Sequence, residues 1–252
     1  MTIDPIFTRM QMLTGEPAII KLNQTKVIVF GVGGVGSWAA DALVRSGIGS
    51  ITMVDGDDVG PTNVNRQLQA TCQNVGQPKV YELKKRLELL NPNAEINAIK
   101  ELYEAATAES FNITQYDYIL DCIDSISSKA VLIRQAHEKQ VTLYASMGAA
   151  CKLDPTRIEV GSLWDIQGCA LAKALRRRLR REDFSGDVHT VFSTEELPAN
   201  KQTNDPGGFR KSVNGSAAHI TATFGMYLAG MVIQDVVEKA GPAESTGPEE
   251  IS

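Results

Sequence analysis

The first feature that suggests chemistry is a run of four glycines within six residues, Gly31-Val32-Gly33-Gly34-Val35-Gly36, between a short apolar run and an amphipathic segment. Glycine permits a tight turn and lets the backbone approach a phosphate, and a helix that begins there offers free N–H groups and positive potential. Asp55 follows the next apolar run, where its carboxylate can accept hydrogen bonds from a ribose. The pattern predicts a nucleotide-binding loop; the alternative is that these glycines only let a helix pack closely on a sheet.

Polar and cationic residues after Asp55 separate this site from that of a dinucleotide oxidoreductase, which the glycine loop alone would suggest. Arg66 is a fork-shaped cation, and Asn65 and Gln67 beside it add amide donors. Lys79 begins the next helical segment, near its positive end. Two cations that converge on a helix N-terminus suit a triphosphate better than a pyrophosphate shared by two ribosides, although each alone is compatible with a solvated surface charge. An NAD-dependent oxidoreductase stays the alternative.

Two carboxylates, Asp121 and Asp124, follow a further apolar run. Ligands of open α/β sheets bind at the carboxyl ends of the strands, and carboxylates there can hold Mg²⁺ beside phosphates. Asp124 is the better candidate because it lies beyond the strand and faces the crevice. It could instead cap the following helix through backbone N–H groups, and the two roles are compatible.

The elements that must position these residues alternate between strands and helices as far as residue 150. Strands are predicted at 26–30, 50–54, 94–100, 116–122 and 141–145, and helices at 35–45, 79–90 and 129–139. This alternation is typical of βαβ units and hence of a parallel sheet. We therefore expect a Rossmann-like, doubly wound α/β fold with a mainly parallel sheet.

A smaller C-terminal α/β extension is predicted to follow. We expect strands at 157–163, in a smaller sheet, and at 188–193, a basic helix at 169–181, a long mobile connection at 195–214, an apolar helix at 217–237 and a flexible tail at 241–252. The apolar helix is expected to be buried or to face a dimer partner. The predicted units are residues 1–165 with an N-terminal helical arm and the nucleotide site, residues 166–240 packed on the same domain, and the tail.

Composition limits the class of protein. The chain has 252 residues with 25 Lys+Arg and 30 Asp+Glu, a net charge of −5, so a nucleic-acid site must be a local patch. Its four cysteines are widely spaced without a C-x-x-C pair, which favours a reduced cytoplasmic protein without the common structural zinc site. We expect no membrane-spanning segment and no signal peptide.

The predicted basic helix concentrates six cations in nine residues. Such a density can follow nucleic-acid phosphates, and the alternative is a solvated helix face. The candidate phosphate contacts are Lys173, Arg176, Arg177 and Arg180. Cys169 directly precedes this helix, where a lowered thiol pKa would permit a thioester, or where the residue serves only in packing.

Together these motifs resemble the ubiquitin-activating-enzyme-like superfamily of ATP-dependent adenylating enzymes, over about residues 5–165. The resemblance implies a homodimer in which Arg9 of one subunit reaches the ATP of the other. It implies that Asp55 holds the ribose, that Asn65, Arg66 and Lys79 hold phosphates, and that Asp124 holds Mg²⁺. The full implied ATP-binding set is Gly31, Gly33, Gly34, Gly36, Asp55, Asp57, Asn63, Asn65, Arg66, Gln67 and Lys79.

Within that superfamily the chain resembles the bacterial branch that acts on threonylcarbamoyladenosine in tRNA. Supporting stretches are 45–49, 154–156 and 191–195, and the chain lacks the C-x-x-C pairs common in activators of ubiquitin-like sulfur carriers. The implied reaction adenylates the threonylcarbamoyl carboxylate at adenosine 37 and closes a ring, with release of AMP and pyrophosphate. Ser125 stands where the superfamily commonly has Asn, so one amide contact is missing.

The reaction implied by this resemblance requires the protein to neutralise the charge of the phosphate that is transferred. Arg9, Arg66, Lys79 and Mg²⁺ would neutralise the migrating phosphate, and no enzyme nucleophile is required. The implied partners are tRNA and a second copy of the chain, with a sulfur-transfer protein left open. The alternatives are an activator of a ubiquitin-like sulfur-carrier protein that uses the same site, and a non-catalytic nucleotide-binding module.

Overall fold

A central sheet with helices on both faces organises the protein. The computed structural model describes residues 3–196, 202–203 and 213–241. The strands are β1 Lys26–Phe30, β2 Ser50–Val54, β3 Glu95–Ile99, β4 Tyr118–Asp121, β5 Thr142–Ser146, β6 Ile158–Ser162, β7 His189–Ser193, β8 Gln202–Thr203 and β9 Val213–Asn214. The α-helices are α1 Thr8–Thr14, α2 Glu16–Gln24, α3 Gly36–Arg45, α4 Lys79–Leu90, α5 Ile126–Glu138, α6 Ala170–Arg181 and α7 Ala218–Ala240.

The strand order β3-β2-β1-β4-β5-β7-β6 confirms the doubly wound α/β fold. All neighbouring pairs are parallel except β6 and β7. After β1 the chain builds outward to β2 and β3, then returns to β4 on the other side of β1. The connections therefore diverge between β1 and β4, which creates a crevice at the carboxyl ends of these strands, where ligands of such sheets bind.

The register brings three strand ends to one line at this crevice. Phe30 pairs with Val54 on one side and with Asp121 on the other. The residues that follow each strand are Gly31, Asp55 and Cys122, so the glycine loop lies between the two acidic segments.

The prediction of a smaller sheet for β6 is wrong. β6 pairs antiparallel with β7, and β7 pairs parallel with β5, so both strands extend the main sheet. The physical reason is that β7 would otherwise leave the backbone groups of its outer side unpaired at the edge of the sheet. The division of the chain at residue 165 stays a prediction.

The largest differences from the predicted helix boundaries are at the start of α5 and at the end of α7. α5 begins at Ile126 rather than at residue 129, because Ser125 caps it by accepting a hydrogen bond from Ser128 N. α7 continues to Ala240 and ends at Gly241, whose φ of 80° terminates the helix. The predicted tail after Gly241 and most of the predicted mobile connection lie outside the described residues.

α7 is the helix within the described ranges that is long and apolar enough to cross a membrane. Its side chains Phe224, Leu228 and Val232 are fully buried in a core shared with α3 and the sheet. This burial agrees with the prediction of a packed helix. Gly225 allows the contact, since a Cβ there would lie 2.6 Å from Val35 O of the turn that opens α3.

We expect Gly225→Ala to lower the free energy of unfolding by about 1–3 kcal/mol, because the added methyl group overlaps the backbone of α3. Gly230→Ala is the matched control on the same helix, since no described atom lies within 4 Å of a Cβ there. The control is expected to raise stability by up to about 1 kcal/mol through helix propensity. Denaturant unfolding of the two variants measures both values, and equal effects would contradict the packing described.

Candidate functional site

The glycine loop connects β1 to α3, and two of its glycines are required by the backbone itself. Gly31 has a φ of 86°, and a Cβ on it would lie 2.8 Å from Cys122 O. A Cβ on Gly36 would overlap Gly31 O. At these two positions, close packing explains the glycine. Gly33 is different, because the nearest atom to a Cβ there is Gln67 Nε2 at 3.8 Å, an ordinary van der Waals contact, so packing does not require a glycine at this position.

Asp55 ties the glycine loop to the end of β2. Its two carboxylate oxygens accept hydrogen bonds from Val32 N at 2.8 Å and from Asp57 N at 2.9 Å. Burial raises the pKa of Asp55, and the ammonium of Lys79 and these two N–H groups oppose the rise. Each oxygen retains a lone pair, which suits the ribose hydroxyls expected here.

Lys79 is the first residue of α4, and its side chain is 7% exposed. Its Nζ lies 2.7 Å from Asp57 Oδ2 and 4.0 Å from Asp55 Oδ1. The predicted ribose carboxylate and the predicted phosphate cation are therefore neighbours. Asp57 is 56% exposed at its side chain, so the partner that holds Lys79 most closely is accessible to solvent.

The segment 63–67 is held from α3. Trp38 Nε1 donates to Arg66 O at 3.1 Å. Ser37 Oγ donates to Gly33 O at 2.6 Å and accepts from Leu68 N at 3.2 Å, so it links this segment to the glycine loop. Sequence reasoning did not single out Trp38 and Ser37 for this role, because a side-chain bond to a distant backbone atom has no periodic signal.

Asn63 and Asn65 are engaged within the protein. Asn63 Oδ1 accepts from Gly60 N at 2.9 Å. Asn65 Nδ2 donates to Ser216 O at 2.8 Å, and its Oδ1 accepts from Arg66 Nη1 at 3.1 Å. The residue thus joins the segment 63–67 to the chain just before α7 and orients the guanidinium of Arg66, which also donates to Thr62 O at 2.7 Å.

Two buried glutamines line the same loop. Gln69 Nε2 donates to Val32 O at 2.8 Å. Within the described residues, the amide oxygens of Gln67 and Gln69 are buried without a hydrogen-bond partner. Buried polar atoms of this kind are rare in folded proteins and call for a water or a ligand donor. Gln69 belongs to the site although the sequence did not indicate it.

The two predicted metal carboxylates have different roles. Asp121 is fully buried, with its Oδ1 2.9 Å from Lys129 Nζ, so the prediction that it could share a metal is wrong. Asp124 is exposed in the segment after β4, and Ser125 rather than Asp124 provides the side-chain cap of α5. Among the residues that the structure describes, no cluster of three or more His, Cys, Asp or Glu side chains could hold a metal, so a cation here would need phosphate oxygens as well.

Lys129 was also absent from the sequence-based site. A signal existed, because Lys129 falls on the buried stripe of α5 with Ile133 and Ala136. A lysine on such a stripe must find a buried partner.

Arg9 lies away from this crevice within its own chain. It is exposed on α1, two residues after Phe7. Phe7 packs against Gly47, which precedes the amino end of β2. The helix α1 therefore begins near the amino ends of the strands, opposite the crevice at their carboxyl ends.

The basic helix α6 has a mixture of structural and exposed cations. Arg176 Nη1 donates to Leu163 O at 2.9 Å and to Ile166 O at 2.8 Å, and Arg180 lies over the ring of Trp164 at 5.4 Å. The remaining predicted contacts, Lys173 and Arg177, are exposed. An open surface cavity of about 510 Å³ is lined by Lys173, Arg176, Arg177, Arg180 and Arg181.

Cys169 caps this helix. Its Sγ accepts from Ala172 N at 3.5 Å, and the residue is buried. This placement supports the packing interpretation over a thioester. Cys72, by contrast, is exposed.

A glycine loop, a carboxylate after β2 and cations on the next elements, all at the switch point of a doubly wound sheet, define a nucleotide-binding α/β protein. The chain belongs to the ThiF family, whose model matches residues 7–246. This assignment favours nucleotide activation over the oxidoreductase alternative.

Two relatives and one solved structure are similar to this chain over almost their whole length. The tRNA threonylcarbamoyladenosine dehydratase of Bacillus subtilis is 38% identical over 92% of this chain and 94% of its own. The enzyme of the same name from Escherichia coli is 33% identical over 90% and 92%. The crystal structure of E. coli TcdA in complex with ATP matches with a TM-score of 0.85 and 33% identity, over 95% of this chain and 98% of that one.

The reactivity of the cysteine thiols tests the burial that the structure assigns to Cys72 and Cys122. Cys72 is exposed, whereas burial raises the pKa of the Cys122 thiol to about 12. We expect Cys72 to react first with a thiol reagent in the native protein, because reaction requires an accessible thiolate. Absorbance after addition of the reagent measures the phases, and a fast phase that persists in Cys72→Ser would contradict the structure.

Proposed function

We propose that this protein is an ATP-dependent tRNA threonylcarbamoyladenosine dehydratase. It adenylates the carboxylate of threonylcarbamoyladenosine at position 37 of tRNA and cyclises it, with net loss of water and release of AMP and pyrophosphate. The observation that carries this proposal is the similarity over more than nine-tenths of both chains to the E. coli enzyme that binds ATP. The same whole-length similarity disfavours an activator of a ubiquitin-like sulfur carrier.

The chemistry requires activation because a carboxylate is a poor acyl donor, whose leaving group would be oxide. An oxygen of the carboxylate attacks the α-phosphorus of ATP and displaces pyrophosphate. A nucleophilic atom of the same modified nucleoside then attacks the carbonyl carbon, loses its proton and displaces AMP. Since the second attack is intramolecular, no cysteine is needed, which agrees with the burial of Cys169.

In this proposal the nucleotide occupies the crevice between β1 and β4. The backbone N–H groups of the glycine loop at Gly33 and Gly34 bind phosphate, and Asp55 accepts from the ribose. Lys79 and Arg66 neutralise phosphate charge, and Asp57 holds Lys79 at 2.7 Å before the nucleotide arrives. The remaining proposed contacts are Gly31, Gly36, Asn63, Asn65 and Gln67.

Mg²⁺ fits at Asp124, because this carboxylate is exposed at the carboxyl end of β4 and the helix cap is supplied by Ser125. When bound, the ion would neutralise phosphate charge. Asp124 would hold it together with phosphate oxygens of the nucleotide.

We infer that the enzyme acts as a homodimer in which Arg9 completes the site of the partner. Arg9 is remote from its own crevice, so a second chain is needed for it to contact ATP. The neighbouring side chains Met12 and Leu13 are 83% and 80% exposed, an apolar surface that a second copy would cover. A sulfur-transfer protein stays a further proposed partner, and the tRNA substrate implies a cytoplasmic location.

Residues 166–240 would then contribute the tRNA-facing surface to the ATP-binding unit 1–165. Gly148, just after β5, packs against Cys169 and Leu171 at the start of α6. The helix that carries the exposed cations Lys173 and Arg177 thus starts close to the carboxyl ends of the strands, where the carboxylate must react. Arg176 and Arg180 support the shape of this surface through their bonds within the protein.

Incubation of the protein with Mg-ATP and tRNA, followed by nucleoside mass analysis, tests the reaction. We expect threonylcarbamoyladenosine to lose one water, and we expect Lys79→Ala to reduce turnover at least about a hundredfold because a buried cation beside the phosphates is lost. Lys84→Ala, which removes a partly exposed lysine that pairs with Glu88 on the same helix, is the control. An unchanged nucleoside mass with wild-type protein would overturn the proposal.

Charge reversal tests the tRNA surface. We expect Lys173→Glu with Arg177→Glu to weaken tRNA binding at least about tenfold at ~0.1 M salt and to flatten its salt dependence, since phosphate contacts are lost. Lys84→Glu with Lys85→Glu changes the net charge equally at a different surface. Filter binding measures tRNA affinity, and an equal loss in both double variants would show a non-specific charge effect and remove the assignment.

A further inference from the structure

A buried ion pair lies beneath the segment that carries Asp124. Lys129 and Asp121 are both fully buried, and Lys129 Nζ lies 2.9 Å from Asp121 Oδ1 and 3.3 Å from Asp121 O. Within the described residues, Asp121 Oδ2 is buried without a hydrogen-bond partner. Lys129 is therefore the main group that compensates the burial of this carboxylate.

A buried ion pair of this kind contributes little to the stability of the fold. Two charges removed from water lose hydration that their mutual attraction often fails to recover, and an apolar pair of similar volume is frequently as stable or more so. Lys129 also belongs to the first turn of α5, where the helix dipole disfavours a cation. Its presence calls for a reason other than folding energy.

The ion pair fixes both ends of the segment that connects β4 to α5. Asp121 is the last residue of β4, and its Oδ1 also accepts from Ile123 N at 3.1 Å. Lys129 N donates to Ser125 O at 2.9 Å, so the same lysine secures the start of the helix. The segment 122–125 is thus held by its strand, by its helix and by one side chain that spans the two.

The same segment forms a wall of the glycine loop. Cys122 N donates to Phe30 O at 2.9 Å. Its carbonyl oxygen packs against Gly31, and its side chain packs against Gly36. A displacement of the segment would therefore change the position of Asp124 relative to the phosphate-binding backbone.

We propose that Lys129 is a positioning residue, which holds Asp124 at the place where Mg²⁺ and the phosphates of ATP meet. The inference rests on the proposed role of Asp124 as the metal ligand. Lys129 acts through Asp121 and the segment 122–125 and touches neither nucleotide nor metal.

The test compares ATP affinity of the full chain with and without Mg²⁺, by calorimetry, in Lys129→Met and in Lys139→Met. Lys139 directly follows α5 and forms a surface ion pair with Glu109, so it is the matched control. We expect Lys129→Met to reduce the Mg²⁺-dependent gain in affinity about tenfold, a typical effect of a residue behind a metal ligand, while metal-free affinity stays within about twofold. The control is expected to keep both values.

A double variant, Asp121→Asn with Lys129→Met, separates positioning from folding. It leaves no unpaired buried charge and keeps an acceptor for Ile123 N, so it is expected to recover the stability that Lys129→Met loses. If its Mg²⁺-dependent gain stays reduced, Lys129 positions the segment. If the gain returns to the wild-type value, Lys129 only neutralises Asp121 and the inference is overturned.

Asp124→Asn distinguishes failure of this inference from failure of the proposed function. A wild-type gain with Mg²⁺ that Asp124→Asn removes and Lys129→Met retains would overturn the positioning role alone. A wild-type protein without any Mg²⁺-dependent gain would overturn the metal role of Asp124, and the inference with it.

Discussion

The rest of the structure depends on one close approach of backbone to backbone, between the turn after β1 and the end of β4. Gly31 and Gly36 have no room for a side chain, because Cys122 O and Gly31 O occupy the space where a Cβ would lie. The pairing of Phe30 with both Val54 and Asp121 sets this contact. Parallel strands in this register necessarily deliver a glycine turn, a carboxylate and an acidic segment to one crevice, so the nucleotide site is a consequence of the sheet.

Two groups of oppositely charged side chains lie at this crevice. On the β2 side, Asp55 and Asp57 hold Lys79, and on the β4 side Asp121 holds Lys129. The first group is partly open to solvent at Asp57, so its cation can exchange partners when an anion arrives, whereas the second is sealed. A protein that transfers an anionic group benefits from both kinds, since one must respond to the substrate and the other must keep the framework fixed.

Much of the fold and part of the candidate site could be predicted from the sequence, and the rest could not, for physical reasons. The glycine turn after β1, the position of Asp55 at the end of β2, the start of α4 at Lys79 and most element bounds were predictable, because local geometry and periodicity demand particular residue types. Periodicity shows which face of a segment is buried but not which strand it joins, so β6 was assigned to a separate sheet. Side-chain bonds to distant backbone, such as Trp38 to Arg66 and Asn65 to Ser216, leave no local signature. The structural role of Arg176 was hidden for the same reason.

Three contacts fix the first turn of α7 and the chain just before it: Ser216 O accepts from Asn65, Gly215 O accepts from Cys151 N at 2.7 Å, and His219 Nε2 lies 3.0 Å from Leu153 O. These bonds fasten the return of the polypeptide to the segment 63–67 on one side and to the segment after β5 on the other. An inserted or deleted residue between Gly215 and His219 would break this set of bonds. The number of residues in this short stretch should therefore stay constant among homologues.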